Sequence, residues 1–427
     1  MTLNIHWFRN DLRVDDNPAL NEAARDATAL LPLYLHDPRQ DETTPWGFAR
    51  RRSHRQIALR RALDELDQEL RARGSRLIEL QGKPEAVLPR LVSALNATRL
   101  VAERIAAPEE EAVDAALVAA GVPLALHWQS TLLMPEHLPF AIPALPDVFS
   151  AFRRAVEKCG LPVRSAVQAQ RCLPPLPPAW AQFVRPFACR AVAPGDLPPV
   201  PPTGTISGRE HLNRYLASDR PARYKQTRNG LMGKNYSTRL SVFLALGALS
   251  PVQVHEALCL HEDRQGVSEG STWIRFELLW RDYFRFLHRQ HGRRLYQARG
   301  LSERPEPAHD PAAFRRWCAG ATGEPFVDAG MRELHVTGFL SNRMRQNVAS
   351  YLVNDLGCDW RAGAAWFEAC LIDYDVYSNQ GNWLYLAGRG TDPRGQRRFD
   401  PQRQAGMYDP MGEYRKLWGG APAIRPW

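Results

Sequence analysis

The residue types that most often perform chemistry occur in this chain, but their spacing fits none of the common catalytic motifs. His255 and His261 are six residues apart and would fall on different faces of a helix, so they do not form a metal-binding pair. The seven cysteines are scattered and include no CxxC, which indicates neither a disulfide framework nor a zinc site. No GxGxxG follows the strand-like Trp7-Phe8, and neither GxxxxGK nor HExxH occurs. We therefore predict no bound metal and no phosphate loop of a known type.

Composition is typical of a globular protein with more than one domain. The chain has 427 residues, too many for one ordinary core, and 44% of them are hydrophobic while 24% are charged. The net charge of +9 fits a polyanionic partner, although an Arg-rich surface without such a partner explains it equally well. No apolar run approaches the roughly 18 residues that a membrane span needs. Residues 1–20 lack a signal-peptide pattern, so we predict a protein of the reducing cytoplasm that contacts no membrane.

Strands and helices alternate through the first part of the chain. Leu3, Ile5 and Trp7 alternate with polar neighbours as in a strand, and Asn17-Pro18 then caps and opens a helix. This alternation predicts that residues 1–130 form an α/β domain, with a parallel five-stranded sheet and helices on both faces. The later strands are predicted at Ala29–Leu35, Arg76–Leu80, Leu100–Ala102 and Pro123–His127, and the later helices at Gly47–Arg73, Pro84–Ala97 and Glu109–Ala120.

A proline-rich stretch separates this part from a helical one. Ten prolines lie between Leu173 and Thr203, which predicts an extended connector, placed at 131–207, with little regular structure. From about Gly208 the pattern is helical, so residues 208–427 are predicted to form an all-α domain. Asp310-Pro311 indicates a cap and first turn, and further helices are predicted at Ser271–Arg289, Asp328–Val336 and Ser341–Leu356.

Five blocks of sequence resemble photolyases and cryptochromes, and they agree in order and spacing. The resemblance runs from about residue 3 to Trp418. Further positions resemble the DASH branch of this family, namely Leu145–Glu157, Thr227–Leu231, Gln346 and Tyr385. The five blocks are Trp7–Leu20 (WFRNDLR, then DNPAL), Tyr236–Ser241 (YSTRLS), Phe276–Phe286 (FELLWRDYFRF), Thr337–Ser350 (TGFLSNRMRQNVAS) and Asp373–Trp383 (DYDVYSNQGNW).

The resemblance implies a cofactor and a reaction. Family members hold FAD in the all-α domain and use blue light to split cyclobutane pyrimidine dimers in DNA. Reduced FAD donates one electron to the dimer, the ring opens, and the electron returns, so no general acid is required. For this chain we expect the same repair, with single-stranded DNA preferred and the protein a monomer.

The resemblance also assigns the cofactor site. Hydroxyls and free N–H groups in the YSTRLS block suit a pyrophosphate. Arg345 and Asp373 match a pair beside the isoalloxazine ring, and Asn379 matches the position that faces flavin N5, where an amide can form a hydrogen bond. An Asp there is typical of plant signalling cryptochromes, whereas Asn is typical of repair enzymes. The predicted FAD-binding residues are Tyr224, Ser237, Thr238, Arg239, Leu240, Ser241, Arg345, Asp373, Asp375 and Asn379.

A lesion pocket is implied next to the flavin. Trp280 would offer a flat face to an extruded dimer, and Glu277 a carboxyl group to the base edges. Family members that act on the (6-4) photoproduct carry His at the two positions that match Asn342 and Gln346. This chain lacks those histidines, so we discount that substrate. The predicted catalytic residues are Glu277, Trp280, Asn342, Gln346, Asn379 and Tyr385, and the residues predicted to contact DNA phosphates are Arg281 and Arg343.

Two features depart from the family pattern. Trp383 and Trp360 match two members of the tryptophan chain that reduces the flavin, but the third position falls near 305–307, which reads Pro-Glu-Pro. Trp317 or a tyrosine is the expected substitute, unless the electron transfer ends early. Family members with a folate antenna carry Glu near the position that matches Ile105. Because this chain has Ile there, a methenyltetrahydrofolate antenna is possible but doubted. Tyr377 and Gln380 replace the Cys and Tyr of the branch, without an evident reason in the sequence.

Two other functions stay open at this point. One is a blue-light photoreceptor that signals through a partner without repair, and the other is a nucleic-acid-binding flavoprotein that keeps only the fold. Signalling members usually carry a long tail, whereas nine residues follow Trp418 here. That short tail and Asn379 favour repair.

Overall fold

A computed structural model describes residues 2–178, 180–184 and 200–420. Part of the predicted connector and Cys189 therefore lie outside the described residues. The other six cysteines are free thiols.

The N-terminal domain is built on the predicted five-stranded parallel sheet. The strand order is β3-β2-β1-β4-β5, and Ile5 in the central strand faces Leu31 on one side and Leu100 on the other. Every residue of β1 is buried, as expected for a central strand covered on both faces. The strands are β1 (Leu3–Phe8), β2 (Ala29–His36), β3 (Ile78–Gln81), β4 (Arg99–Glu103) and β5 (Leu124–His127).

Four helices cover this sheet, and two separate hydrophobic clusters fill its two faces. The predicted cap is present, because the Asn17 side chain accepts a hydrogen bond from the Leu20 N–H and Pro18 occupies the first turn. The second helix begins at Ser53, six residues later than the predicted Gly47, because Phe48 leaves this domain and is buried in the core of the helical domain. The helices are α1 (Pro18–Ala24), α2 (Ser53–Arg71), α3 (Pro84–Leu95) and α4 (Pro108–Ala119).

The predicted connector contains more regular structure than its prolines indicate. Helix α5 (Phe149–Lys158) buries Phe149, Phe152 and Val156 along one face, at the spacing of an amphipathic helix. These side chains join a cluster with residues of the helical domain. A short helix, α6 (Trp180–Val184), follows among the prolines.

The remainder of the chain is helical, as predicted. Asp310 caps its helix by accepting from the N–H groups of Ala312 and Ala313, and Gly320 ends that helix at φ 62°. The helices are α7 (Thr205–Leu216), α8 (Arg220–Thr227), α9 (Ser241–Ala245), α10 (Pro251–Gln265), α11 (Glu269–His291), α12 (Pro311–Ala319), α13 (Pro325–Thr337), α14 (Asn342–Asn354), α15 (Trp360–Cys370), α16 (Val376–Ala387), α17 (Pro401–Tyr408) and α18 (Glu413–Gly419).

Polar side chains join the two domains. The buried carboxylate of Asp282 in α11 accepts the N–H groups of Leu132 and Leu133, at 2.9 and 2.8 Å. Arg13 donates to the Gly247 carbonyl at 3.0 Å. Gly247 has φ +68°, and a Cβ atom there would overlap the backbone of Asn10, so this contact requires glycine. The domains are therefore held at a fixed contact beside α11.

Glu103 is buried at this contact and has an unpartnered carboxylate oxygen. Burial, assisted by the negative charge of Asp11, raises the pKa of Glu103 to about 7, because nearby arginines compensate only partly. Because the folded state favours the protonated carboxyl, Glu103 stabilises the protein at pH values below its ordinary pKa of 4.5. This stabilisation is lost as the pH rises through about 7.

We therefore expect Glu103→Gln to be more stable than the wild type at pH 8, by on the order of 2 kcal/mol in the free energy of unfolding, with little difference at pH 4.5. Urea unfolding at both pH values measures this. The exposed Glu111→Gln serves as the matched control and should give no pH-dependent difference. A Glu103→Gln effect of equal size at both pH values would contradict the assignment.

Candidate functional site

A cavity of about 530 Å³ opens between α8, the segment before α9, α11, α14 and α16. Of the residues predicted to bind FAD, all except Arg239 line it. The predicted catalytic residues Glu277, Trp280, Asn342, Gln346, Asn379 and Tyr385 line the same cavity. The fold therefore brings together residues from blocks that are more than a hundred positions apart in the sequence.

The segment before α9 forms a turn at one end of the cavity. Arg239 has φ +55°, which reverses the chain between Thr238 and Leu240. Its guanidinium lies 4.1 Å from the Phe339 ring centre and donates to the Tyr236 hydroxyl at 3.1 Å, so this side chain is used in packing outside the cavity. His211 donates to the Thr238 carbonyl at 2.7 Å and holds the turn in place. Ser237, Thr238 and Ser241 are left lining the cavity.

Two Arg–Asp pairs flank the cavity wall. Arg345 donates to both oxygens of Asp373, at 2.8 and 2.7 Å, while its Nε donates to the Leu340 carbonyl. Arg285 holds Asp375, which also caps α16 by accepting from the Ser378 N–H. Burial opposes ionisation of Asp375, but the charges of Arg285 and Arg281 outweigh it and lower its pKa to about 2. Asp375 is therefore a fixed negative charge at neutral pH.

Amide groups in the cavity retain free hydrogen-bonding atoms. Asn379 donates its Nδ2 hydrogen to the Ala364 carbonyl at 3.0 Å, which leaves its Oδ1 available to a ligand. The Oε1 of Gln346 is buried without a partner. Since an unpartnered buried acceptor is costly, this atom is arranged for a bound group. The free Oδ1 of Asn379, the hydroxyls near α9 and the two Arg–Asp pairs fit a large, polar, aromatic cofactor such as FAD.

Glu277 is held by one of its two oxygens. Its Oε1 accepts from Arg228 Nε at 3.1 Å and from the Trp273 indole N–H at 2.9 Å, and the Arg228 Nη2 lies 2.8 Å away in the same ion pair. The Oε2 atom is left free of these bonds and belongs to a residue that lines the cavity. This arrangement fixes the carboxylate and keeps one acceptor for a ligand.

Trp280 has one face already covered. The Phe149 ring of α5 stacks on it with ring centres 3.8 Å apart and planes within 14°. Tyr385 approaches edge-on, at 6.4 Å between ring centres. A ligand base can therefore stack on only one face of Trp280 unless Phe149 moves.

The two arginines predicted to contact DNA phosphates occupy different environments. Arg281 donates to the carbonyls of Ser130 and Leu244, and burial lowers its pKa to about 10. Its guanidinium is thus used at the domain contact, which does not support the predicted phosphate role. Arg343 is half-buried, donates to Asn229 Oδ1 at 2.9 Å and lies 4.6 Å from the Tyr408 ring centre.

The tryptophans form a cluster behind the cavity. Trp383 lines the cavity and is otherwise buried, whereas Trp360 lies deeper and donates its indole N–H to the Ala298 carbonyl at 3.1 Å. Trp383 packs so closely on α15 that a Cβ atom at Gly363 would overlap its ring. Trp317, left as an alternative by the sequence, has its ring centre 6.4 Å from that of Trp383.

Tyr377 and Gln380, unexplained by the sequence, have structural roles. The Tyr377 hydroxyl accepts the Ala106 N–H at 2.7 Å, and Gln380 donates to the Leu295 carbonyl at 2.6 Å. Tyr377 thereby links α16 to the segment that contains Ile105, which is buried in the cluster shared by the two domains. The side chain at position 105 is therefore committed to packing.

Sequence reasoning missed the partners that position the site. Arg228 lies within the Thr227–Leu231 block, so its motif signalled importance without a role. Trp273 lies four residues before Glu277 on α11, a spacing at which helical side chains meet. Phe149 and Arg285 lie within the Leu145–Glu157 and Phe276–Phe286 blocks, but the sequence did not indicate their contacts, because these join elements distant in sequence.

Over the described ranges, no three His, Cys, Asp or Glu side chains are grouped as metal ligands would be. None of the helices described combines the length and apolar character that crossing a membrane requires.

Comparisons with known proteins agree with this architecture. Residues 4–176 match the family described as DNA photolyase, and residues 273–421 match the FAD binding domain of DNA photolyase. The chain is 40% identical to the cryptochrome DASH of Synechocystis over 427 residues, which covers 96% of this chain and 86% of the relative. It is 42% identical to the cryptochrome DASH of Xenopus laevis over 441 residues, covering 98% and 84%.

Solved structures give the same picture. The crystal structure of Synechocystis cryptochrome superposes with a TM-score of 0.90 at 39% identity, covering 98% of this chain and 88% of that one. A bacterial class III photolyase from Agrobacterium tumefaciens superposes with a TM-score of 0.79 at 27% identity, covering 98% and 86%.

Proposed function

Because the chain belongs to the photolyase and cryptochrome family, in its DASH branch, we propose that it repairs cyclobutane pyrimidine dimers in DNA with blue light and FAD. The observation that carries this proposal is that one cavity is lined both by the residues predicted to bind FAD, except Arg239, and by Glu277 and Trp280. A lesion held there would lie beside a cofactor bound by those residues, as direct electron transfer requires.

The chemistry that a bound, reduced FAD would supply under blue light is the loan of one electron to the dimer. The protein's own groups bind and orient. Arg345 with Asp373, and Asn379 through its Oδ1, would hold the flavin ring, and Ser237, Thr238 and Ser241 would hold the phosphates. Asp375, ionised at neutral pH, fixes the local charge with Arg285.

The lesion pocket offers one stacking face and two acceptors. The open face of Trp280 receives the extruded pyrimidines, and stacking of this kind contributes about 1–3 kcal/mol per base. Glu277 Oε2 and Gln346 Oε1 can accept the two N3–H groups that a thymine dimer presents. We assign Arg343, on the first turn of α14, to phosphate contact, and we assign Arg281 to the domain contact instead.

The test is an illuminated, purified holoprotein with an oligonucleotide that carries one thymine dimer, analysed for restored thymines, with a dark sample as the control. Light-dependent repair supports the proposal. Flavin photochemistry without repair would indicate a photoreceptor instead, and equal binding of damaged and undamaged strands without repair would indicate a nucleic-acid-binding flavoprotein.

We expect single-stranded dimers to be repaired faster than dimers in duplex DNA. Family members that repair duplex DNA carry Met and Trp at the positions that match Gln346 and Tyr385. The pocket of this chain is therefore more polar and less aromatic than theirs. The pocket therefore compensates less for extruding the lesion, which costs a few kcal/mol in a duplex and less in a single strand. A difference of 1.4 kcal/mol corresponds to about tenfold in affinity. Repair rates on both substrates at matched, subsaturating concentration and equal salt measure the preference, and equal rates would contradict it.

A further inference from the structure

A second tryptophan, Trp317, contacts Trp383 behind the cavity. Trp383 lines the cavity, but the position expected to follow Trp360 is replaced by Pro305-Glu306-Pro307, and no residue of this segment can be oxidised by a tryptophan radical. We propose that oxidised Trp383 is reduced by Trp317, and Trp317 in turn by Trp46, which is the terminal donor at the surface. This inference rests on the proposed role of Trp383 beside the flavin.

The first step is supported by the packing of Trp317 against Trp383. Their ring centres are 6.4 Å apart at 75°, and both rings are buried. Phe367 fills the space beside them, 5.1 Å from Trp383 and 6.2 Å from Trp317. Such close contact between buried rings favours rapid transfer of an electron between two indoles.

The second step passes the ring of Phe314. Its centre lies 6.0 Å from Trp317 and 6.5 Å from Trp46, and it stacks within 22° of Trp317. Phe314 is not itself oxidised, but its ring fills the gap between the two indoles. Trp46 belongs to the loop before α2 that enters the helical domain, so this route exists because Phe48 anchors the loop in that core.

Burial explains why the radical would come to rest on Trp46. The indole N–H of Trp317 is bound to the Val348 carbonyl at 2.9 Å, which is not a base that can remove the proton. Trp46 is half-exposed, and the ring centres of His309 and Phe314 lie 4.8 and 6.5 Å from its own. Its radical cation can release a proton to water, after which the electron cannot return directly.

The balance of the route is one electron and one proton. One electron moves from Trp46 through Trp317 to Trp383, and Trp383 gives one to the excited flavin. One proton leaves the Trp46 indole for water. An external thiol then returns one electron and one proton to Trp46, restoring the indole.

The experiment compares full-length holoproteins carrying Trp46→Phe, Trp317→Phe, Trp360→Phe or Trp383→Phe. Trp128→Phe, another half-buried tryptophan that bonds Thr131 at 2.7 Å, is the matched control. Flavin photoreduction with a thiol, the transient absorption of tryptophan radicals, and mass-spectrometric mapping of oxidised tryptophan after illumination without thiol are measured. We expect a several-fold slower photoreduction in Trp46→Phe and Trp317→Phe, oxidation mapped to Trp46 in the wild type, and no change in Trp128→Phe.

The outcomes separate this inference from the proposed function. Suppose that photoreduction is normal in Trp46→Phe and Trp317→Phe, that Trp46 is not oxidised in the wild type, and that photoreduction is lost in Trp383→Phe. The route would then be overturned, but the role of Trp383 would stand. Normal photoreduction in Trp383→Phe would overturn that role as well. If Trp317→Phe fails to fold or bind flavin, Trp46→Phe decides, because its half-exposed ring can be replaced with little loss of packing.

Discussion

Replacing Trp383 by Phe is expected to abolish light-driven reduction of the flavin while leaving dimer repair intact in protein whose flavin has been reduced chemically. Within the tryptophan cluster, Trp383 both lines the cavity and contacts Trp317, so each branch of the proposed electron route starts from it. Phe keeps an aromatic ring against α15 but cannot be oxidised by the excited flavin. Under the proposed function, repair would not use this route, because the dimer would exchange its electron with the flavin itself.

Two measurements on the same preparation check this expectation. Photoreduction is followed by flavin absorbance under blue light with a thiol present, and repair is followed after reduction with dithionite. Trp128→Phe controls for the loss of an indole elsewhere. Normal photoreduction in Trp383→Phe would show that the electron route is placed wrongly. Lost repair in the chemically reduced variant would assign Trp383 a structural role in the lesion pocket.

Periodicity in the sequence predicted the sheet and most helices because burial on one or both faces leaves a pattern in the chain. The central strand Leu3–Phe8 and the caps at Asn17 and Asp310 follow from such local signals. The start of α2 was predicted too early. Phe48 is apolar, like a core-facing residue of a helix, but it is buried in the core of the other domain. A local pattern does not reveal which core a side chain joins.

In the candidate site, too, local motifs identified some residues but not the contacts that these residues make. Asp375 and Asn379 were identified because their block resembles a family motif, and both line the cavity. Arg285, which holds Asp375, lies ninety positions away, and no spacing rule connects them. Arg281 was expected at the DNA, yet its guanidinium is used by two carbonyls at the domain contact. A motif therefore predicts which residues matter more reliably than it predicts where an arginine side chain points.

Glu277→Gln is expected to weaken recognition of the dimer strongly while leaving the bound flavin in place. The Oε1 of Glu277 is occupied by Arg228 and Trp273, which leaves Oε2 to accept from the lesion. A hydrogen bond to a charged acceptor contributes about 1.5–3 kcal/mol, so the affinity for a dimer-containing strand should fall roughly 10- to 100-fold. Undamaged single strands should bind as well as before, or slightly better, because the variant frees Arg228 to contact a phosphate.

The ratio of affinities for damaged and undamaged strands is therefore the decisive measurement, made by fluorescence anisotropy in the dark at constant salt. Glu269→Gln is the matched control, since Glu269 begins the same helix and pairs with Lys225 at the surface. Its affinity ratio should equal that of the wild type. If Glu277→Gln also kept this ratio, Oε2 would not be the acceptor for the lesion, and the free oxygen would have to serve the flavin. Loss of flavin from the variant, seen as lost absorbance near the visible band of the cofactor, would support that second reading directly.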